Sequence, residues 1–211
     1  MQLRVSKMKL FILFAATIAT SISLQAADEW VPYTAHFTET TTVRDAHGSL
    51  NKTVKAYTEY RTADGSIARY QAVGNSVVSG TLWLACGDMI HLDFGHKTAT
   101  KSNSLHAARQ HFVLHKNWPT LGTSTIAGLP VTGWPAHIAN GTGSMWVDVA
   151  DDVIAKIETH VQNPSGVSVD TLKVLDSIEI PSTVDDSKVQ IPPGFQLDSS
   201  AQYSCANSPT R

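Results

Sequence analysis

At 211 residues, with 42% hydrophobic and 16% charged residues, the chain has the size and composition of one folded domain and excludes a disordered or multi-domain reading. Its formal net charge of −2, with no basic run, excludes the electrostatic footprint of a nucleic-acid or anionic-lipid binder. Residues 1–26 carry Arg4, Lys7 and Lys9, then the apolar run Leu10-Phe11-Ile12-Leu13-Phe14-Ala15-Ala16, then small residues ahead of Asp28. This is the pattern of a cleaved secretory signal.

The apolar run is shorter than the roughly 20 residues of a membrane-spanning helix, and no later segment approaches that length, so no transmembrane segment is expected in the mature chain. Removing Arg4, Lys7 and Lys9 leaves 13 basic residues against 18 acidic ones, a net charge of −5 for residues 27–211. About 185 residues suit a single β domain. Cys86 and Cys205 both meet an oxidising compartment after export. They are expected to pair, which contributes roughly 4 kcal/mol in the chain-entropy model; the alternative is two free thiols.

Tyr33 through Val43 is rich in threonine and aromatics and predicts a strand, closed by a turn over residues 44–49. The next strand, residues 50–61, sets Val54, Ala56 and Thr58 on one face and Lys55, Tyr57 and Glu59 on the other. Asp64-Gly65 marks a hairpin into a third strand over 67–73. Residues 75–94 read as another hairpin around Gly87-Asp88, with Leu82, Leu84 and Cys86 on one face and Ile90, Leu92 and Phe94 opposed to His91 and Asp93. Over 104–115, Leu105, Ala108 and Phe112 take helical spacing with Ser104 as cap, although Phe112-Val113-Leu114 also suits a short strand. Residues 121–134 predict a strand and a bend.

From residue 143 onward the period of two is plain. Met145, Val147 and Val149 alternate with Trp146 and Asp148, and Val153, Ala155, Ile157, Thr159 and Val161 alternate with Ile154, Lys156, Glu158 and His160. The polar row Lys156, Glu158, His160 is assigned to a solvated outer face. A third strand returns before the terminator Ile191-Pro192-Pro193-Gly194-Phe195, and a polar tail begins at about residue 198. The fold class is therefore mainly β, a curved antiparallel sheet of roughly seven to eleven strands.

No motif couples a nucleophile or metal to an activating partner. His106, His111 and His115 have no interleaved carboxylate and no His-Glu-x-x-His run, so no metal and no cofactor is expected. There is no Gly-x-Ser-x-Gly elbow, and Asp151-Asp152 and Asp185-Asp186 sit where turns are expected. The chain is accordingly read as non-catalytic, without catalytic residues. The alternatives are a secreted metal-dependent or hydrolytic enzyme with a histidine-containing site, and a partner-binding β module without a cavity.

The signal, the threonine-rich first strand, Ile126-Ala127-Gly128-Leu129-Pro130, Trp146-Val147-Asp148, Lys156-Ile157-Glu158 and the closing Ile191-Pro192-Pro193-Gly194-Phe195 occur in an order that resembles exported bacterial proteins related to the LolA-type lipoprotein carriers. The resemblance covers most of the mature chain. It implies a half-open barrel around an apolar cavity, covered by one or two short helices, and a periplasmic or secreted location.

Such a sheet has more apolar rows than its helix candidate can cover: Leu82 and Leu84, Ile90, Leu92 and Phe94, Val147 and Val149, Val153 and Ile157. The expected function is binding or carriage of an apolar ligand, a lipid, acyl chain or lipoprotein-like segment, in the concave face, with an envelope or outer-membrane protein as a further partner. A packed core would use the same residues. Trp83, Trp118, Trp134 and Trp146 are the candidate aromatic contacts.

Overall fold

The computed structural model describes residues 30–102, 118–138 and 140–198. The leader, the helix candidate over 104–115 with His106, His111 and His115, and Cys205 lie outside the described residues.

Strands β1 (Tyr33–Arg44), β2 (Leu50–Arg61), β3 (Ile67–Val73), β4 (Ser76–Trp83), β5 (Met89–Asp93) and β6 (Thr98–Lys101) form one antiparallel meander. Strands β7 (Gly122–Ile126), β8 (Leu129–Ile138), β9 (Gly141–Asp148), β10 (Val153–Gln162) and β11 (Ser168–Glu179) form a second. Pairing of β1 with β11 joins the two into one sheet, and β12 (Gln196–Leu197) adds in parallel to β6. The outermost strands, β7 and β12, do not pair with each other, so the twelve-stranded sheet is curved but open.

The count exceeds the expected seven to eleven because two hairpins were hidden in the sequence. β6 is four residues long with one aliphatic side chain, too short to show a period. Between β7 and β8, Ala127 and Gly128 both take positive φ (48° and 85°), the geometry of a two-residue hairpin, but alanine is not the residue that announces it. Leu84 and Cys86 fall beyond β4, in the turn, not on a strand face.

Register shifts at His36/Phe37, Gln71/Ala72 and Ile154/Lys156 each place an extra residue in one strand, and such bulges bend and twist a sheet. The folded sheet has two cores. Tyr33, Ala35 and Phe37 of β1 pack with Leu175 of β11, Val153 and Ala155 of β10, and Leu129 and Val131 of β8. Cross-strand partners share a face, so Tyr60, Ala68, Leu82 and Ile90, partnered in turn across β2 to β5, lie on the face opposite to Tyr33, Arg61 and Ile67.

That second face is closed by the chain itself. Leaving β11 at the centre, residues 180–195 must cross β1 to β5 to reach β12 beside β6. On the way a 3-10 turn (Asp186–Val189), capped by Asp185 accepting from the Ser187 amide, sets Val189 onto Ala68, Leu82, Ile90, Leu92 and Ala99, with Ile191 and Phe195 packed alongside. Edge-to-face contacts run from Tyr60 to Tyr70 to Phe94 to Phe195, and the Tyr70 hydroxyl donates to the Lys188 carbonyl at 2.7 Å. The proline-rich terminator is thus a strap. Burying each of its apolar side chains contributes about 1.5–3 kcal/mol.

Candidate functional site: the open half of the strapped face

Beyond the strap the same face continues without cover. One cross-strand row runs Lys156, Val174, Thr38, Ala56, Ala72, Val77 over β10, β11, β1, β2, β3 and β4. The next runs Glu158, Leu172, Thr40, Val54. Val54 is 59% exposed, Val77 41% and Leu172 37%. A strip of contiguous exposed aliphatic side chains on a sheet face is the kind of surface that marks a binding site.

Beside this strip lies an open groove of about 470 Å3, within the range of small-molecule sites. Thr40 and Thr42 of β1 bound one side, Thr142 and Ser144 of β9 the other, and Glu158, His160, Asp170 and Leu172 of β10 and β11 form the floor. The groove opens on the same face as the strap. Lys156, Glu158 and His160 belong to this face through their register partners Trp146, Ser144 and Thr142 on β9 and Val174, Leu172 and Asp170 on β11. Their side chains are 27%, 47% and 50% exposed, so the row is solvated as expected.

The groove's polar groups pair with one another. His160 Nδ1 meets Asp170 Oδ1 at 2.6 Å, Lys156 Nζ meets Glu158 Oε1 at 2.9 Å, and Ser144 Oγ donates to Glu158 Oε2 at 3.1 Å. The hydrogen bond from Lys156 holds the Glu158 carboxyl below its ordinary range, with Ser144 adding to it. Ser144 therefore addresses a carboxylate that is a poor base, not the imidazole, and the trio is not arranged for nucleophilic attack. Among the described residues no three of His, Cys, Asp and Glu converge on a common point suited to a metal.

The opposite face carries a buried polar knot. Glu59 accepts from the Tyr33 hydroxyl at 2.6 Å and from Arg69 Nε at 2.8 Å and Nη2 at 2.7 Å, with Lys173 Nζ 3.7 Å away and seated over the Phe37 ring. Burial alone would raise the Glu59 pKa; the charges of Arg69 and Lys173 and the bonds from Tyr33 and Arg69 outweigh it and hold it at about 2. Burial pushes Lys173 down to about 8 against the pull of Glu59. Arg61, fully buried, lies over the Tyr33 and Trp30 rings and donates to the carbonyls of Val31, Asp151 and Asp152, clamping the β9–β10 turn to β1 and β2. Gly65 holds positive φ under the Trp30 ring, where a Cβ would stand 2.5 Å from ring atoms. These groups serve the packing of that face.

The four tryptophans are not brought together, and none lines the groove. Trp83 is opposite Ile67, on the face of the knot, with Arg69 5.0 Å above its ring. Trp118 is exposed ahead of β7, Trp134 is buried in β8, and Trp146 is half-buried with its ring over Gly133 and its indole N–H without an acceptor. Cys86 stands in the turn between β4 and β5. Of the apolar rows expected to need a ligand, Leu82, Ile90 and Leu92 are core beneath the strap, and Val153 is core on the other face. The uncovered strip is instead built from Val54, Ala56, Ala72, Val77 and Leu172. Among the described residues no helix is long and apolar enough to cross a membrane.

No protein-family model matches the chain, and no curated protein matches it in sequence. Among solved structures it is similar to an uncharacterised conserved protein from Thermus thermophilus at 8% identity and TM-score 0.47, covering 78% of this chain and 90% of that one. It is similar to PNGF-II at 12% identity and TM-score 0.42, covering 77% of this chain and 30% of that one. A LolA superfamily protein from Nitrosomonas europaea is similar at 7% identity and TM-score 0.38, covering 75% and 90%. With these identities and TM-scores below 0.5, none of the three bears on ligand or activity.

Proposed function

We propose that the protein is an exported, non-catalytic binder or carrier of an apolar ligand, a lipid, acyl chain or lipoprotein-like segment, held in the concave face of the curved sheet, which we take to be the open half of the strapped face. The observation that carries this reading is the strip Val54, Ala56, Ala72 and Val77 over β2, β3 and β4, continued past Thr40 of β1 to Leu172 of β11, beside a groove large enough for a small molecule. Apolar side chains in a concavity gain from an apolar ligand what they lose in water, about 25 cal/mol for each Å2 covered. The leader over residues 1–26 supports a periplasmic or secreted location, and an envelope protein is the natural acceptor of such a ligand. Trp118, exposed near the β7 edge, is the tryptophan placed to act as a rim contact. Native mass spectrometry and solvent extraction of protein purified from its own host test the reading. A co-purifying lipid is the expected result; ligand-free protein on which a hydrophobic probe gains no fluorescence overturns it.

A further inference from the structure

The groove beside the apolar strip has a chemistry of its own. Its walls present the hydroxyls of Thr40, Thr42 and Thr142, which make no hydrogen bond to another described side chain, while its floor presents His160 and Asp170. Both carboxylates already have partners, Glu158 in Lys156 and Ser144 and Asp170 in the His160 ring. No lysine or arginine is among the lining residues. An anionic head would meet two carboxylates and no uncommitted lysine or arginine among the lining residues, and a cationic head would compete with pairs already formed. A neutral group rich in hydroxyls meets neither penalty: it can donate to the second oxygen of Asp170, accept from or donate to His160 Nε2, and exchange hydrogen bonds with the three threonines.

We propose that this groove is a subsite for a neutral polyhydroxylated group, a glycosyl or glycerol unit, forming the head of an amphiphile whose apolar part lies on the strip through Leu172 and Val54. The assignment rests on the apolar-ligand reading above. Leu172 joins the two regions, since it lines the groove and belongs to the row that continues through Thr40 to Val54. A head in the groove therefore directs its chain along that row.

Calorimetric titration of the intact protein with octyl glucoside, octyl phosphate and octyltrimethylammonium, each kept monomeric, separates head from tail, and methyl glucoside supplies the head alone. Octyl glucoside is expected to bind about tenfold tighter than the two charged amphiphiles, and Asp170→Asn and Thr142→Val to remove about that factor for the glucoside alone, the loss of one charge-assisted or two neutral hydrogen bonds. Val54→Glu is expected to weaken all three alike. Equal affinity for the three heads overturns the subsite while the apolar reading stands. Methyl glucoside binding as tightly as octyl glucoside sustains the polyol subsite and overturns the apolar reading. No binding of any of the four overturns both.

Discussion

The strapped face of this sheet is one apolar surface with two fates, and its strands pass from one to the other. In β2, Tyr60 packs into a core while Val54 stands open; in β3, Ala68 is buried and Ala72 half-exposed; in β4, Leu82 is inaccessible and Val77 exposed. What differs is the strap: residues 185–195 cover the rows nearest β5 and β6 and end where β12 begins. Cover, not alternation, separates a core row from a binding row.

The comparison is broken most severely by removing the cover. Val189→Asp places a charge against Leu82, Ile90 and Leu92, and is expected to cost about 5 kcal/mol in denaturant unfolding. Full retention of stability would mean that the strap is not part of the core. Next is the bond between Cys86 and Cys205, proposed to fix the tail that follows the strap. Mass analysis of alkylated, unreduced protein is expected to find both thiols protected, and Cys86→Ser to cost about 4 kcal/mol; two alkylated thiols would refute the bond.

Glu59→Gln tests whether the other face stands on its polar knot. Removing the anion beside Arg69 and Lys173 is expected to cost about 3 kcal/mol at neutral pH. With a folded pKa of about 2 against an ordinary value of 4.5, Glu59 binds fewer protons folded than unfolded between those limits. Its contribution is complete above pH 4.5 and is lost as pH falls toward 2, by on the order of 3 kcal/mol, and the Gln variant should lack that acid dependence. Lys173, at about 8 against 10.5, likewise binds fewer protons folded, so its part of the stability rises with pH between 8 and 10.5. The smallest effect sharpens the contrast most: Val54→Glu and Val77→Glu should each shift stability by less than about 0.5 kcal/mol, as exposed sites do, yet abolish binding of an apolar probe.

Much of the sheet was legible because hairpin chemistry is local. Asp64-Gly65, the threonine-rich run of β1 and the alternation of β2, β9 and β10 located these strands closely, β11 was expected only as a returning strand without bounds, and the terminator was visible as a break. Its role as a strap was not, because that depends on β11 lying at the centre of the sheet and β12 at an edge, a matter of topology. The site was hidden for the same reason. Leu172, Thr40 and Val54 are neighbours only through pairing of β11, β1 and β2, and Glu59 is buried only because Arg69 and Lys173 meet it from other strands. Tryptophan is large and amphipathic, which suits it to ligand contacts and to packing alike; Trp134 is buried and Trp146 is packed beside the core that holds Phe37.

Methyl NMR of the intact protein, titrated with a monomeric apolar ligand such as dodecanoate, tests the division of the strapped face most directly. Val54, Val77 and Leu172 are expected to shift progressively with ligand while Leu82, Ile90 and Leu92 beneath the strap stay in place. Shifts confined to the strapped residues, or none at either set, would contradict the account.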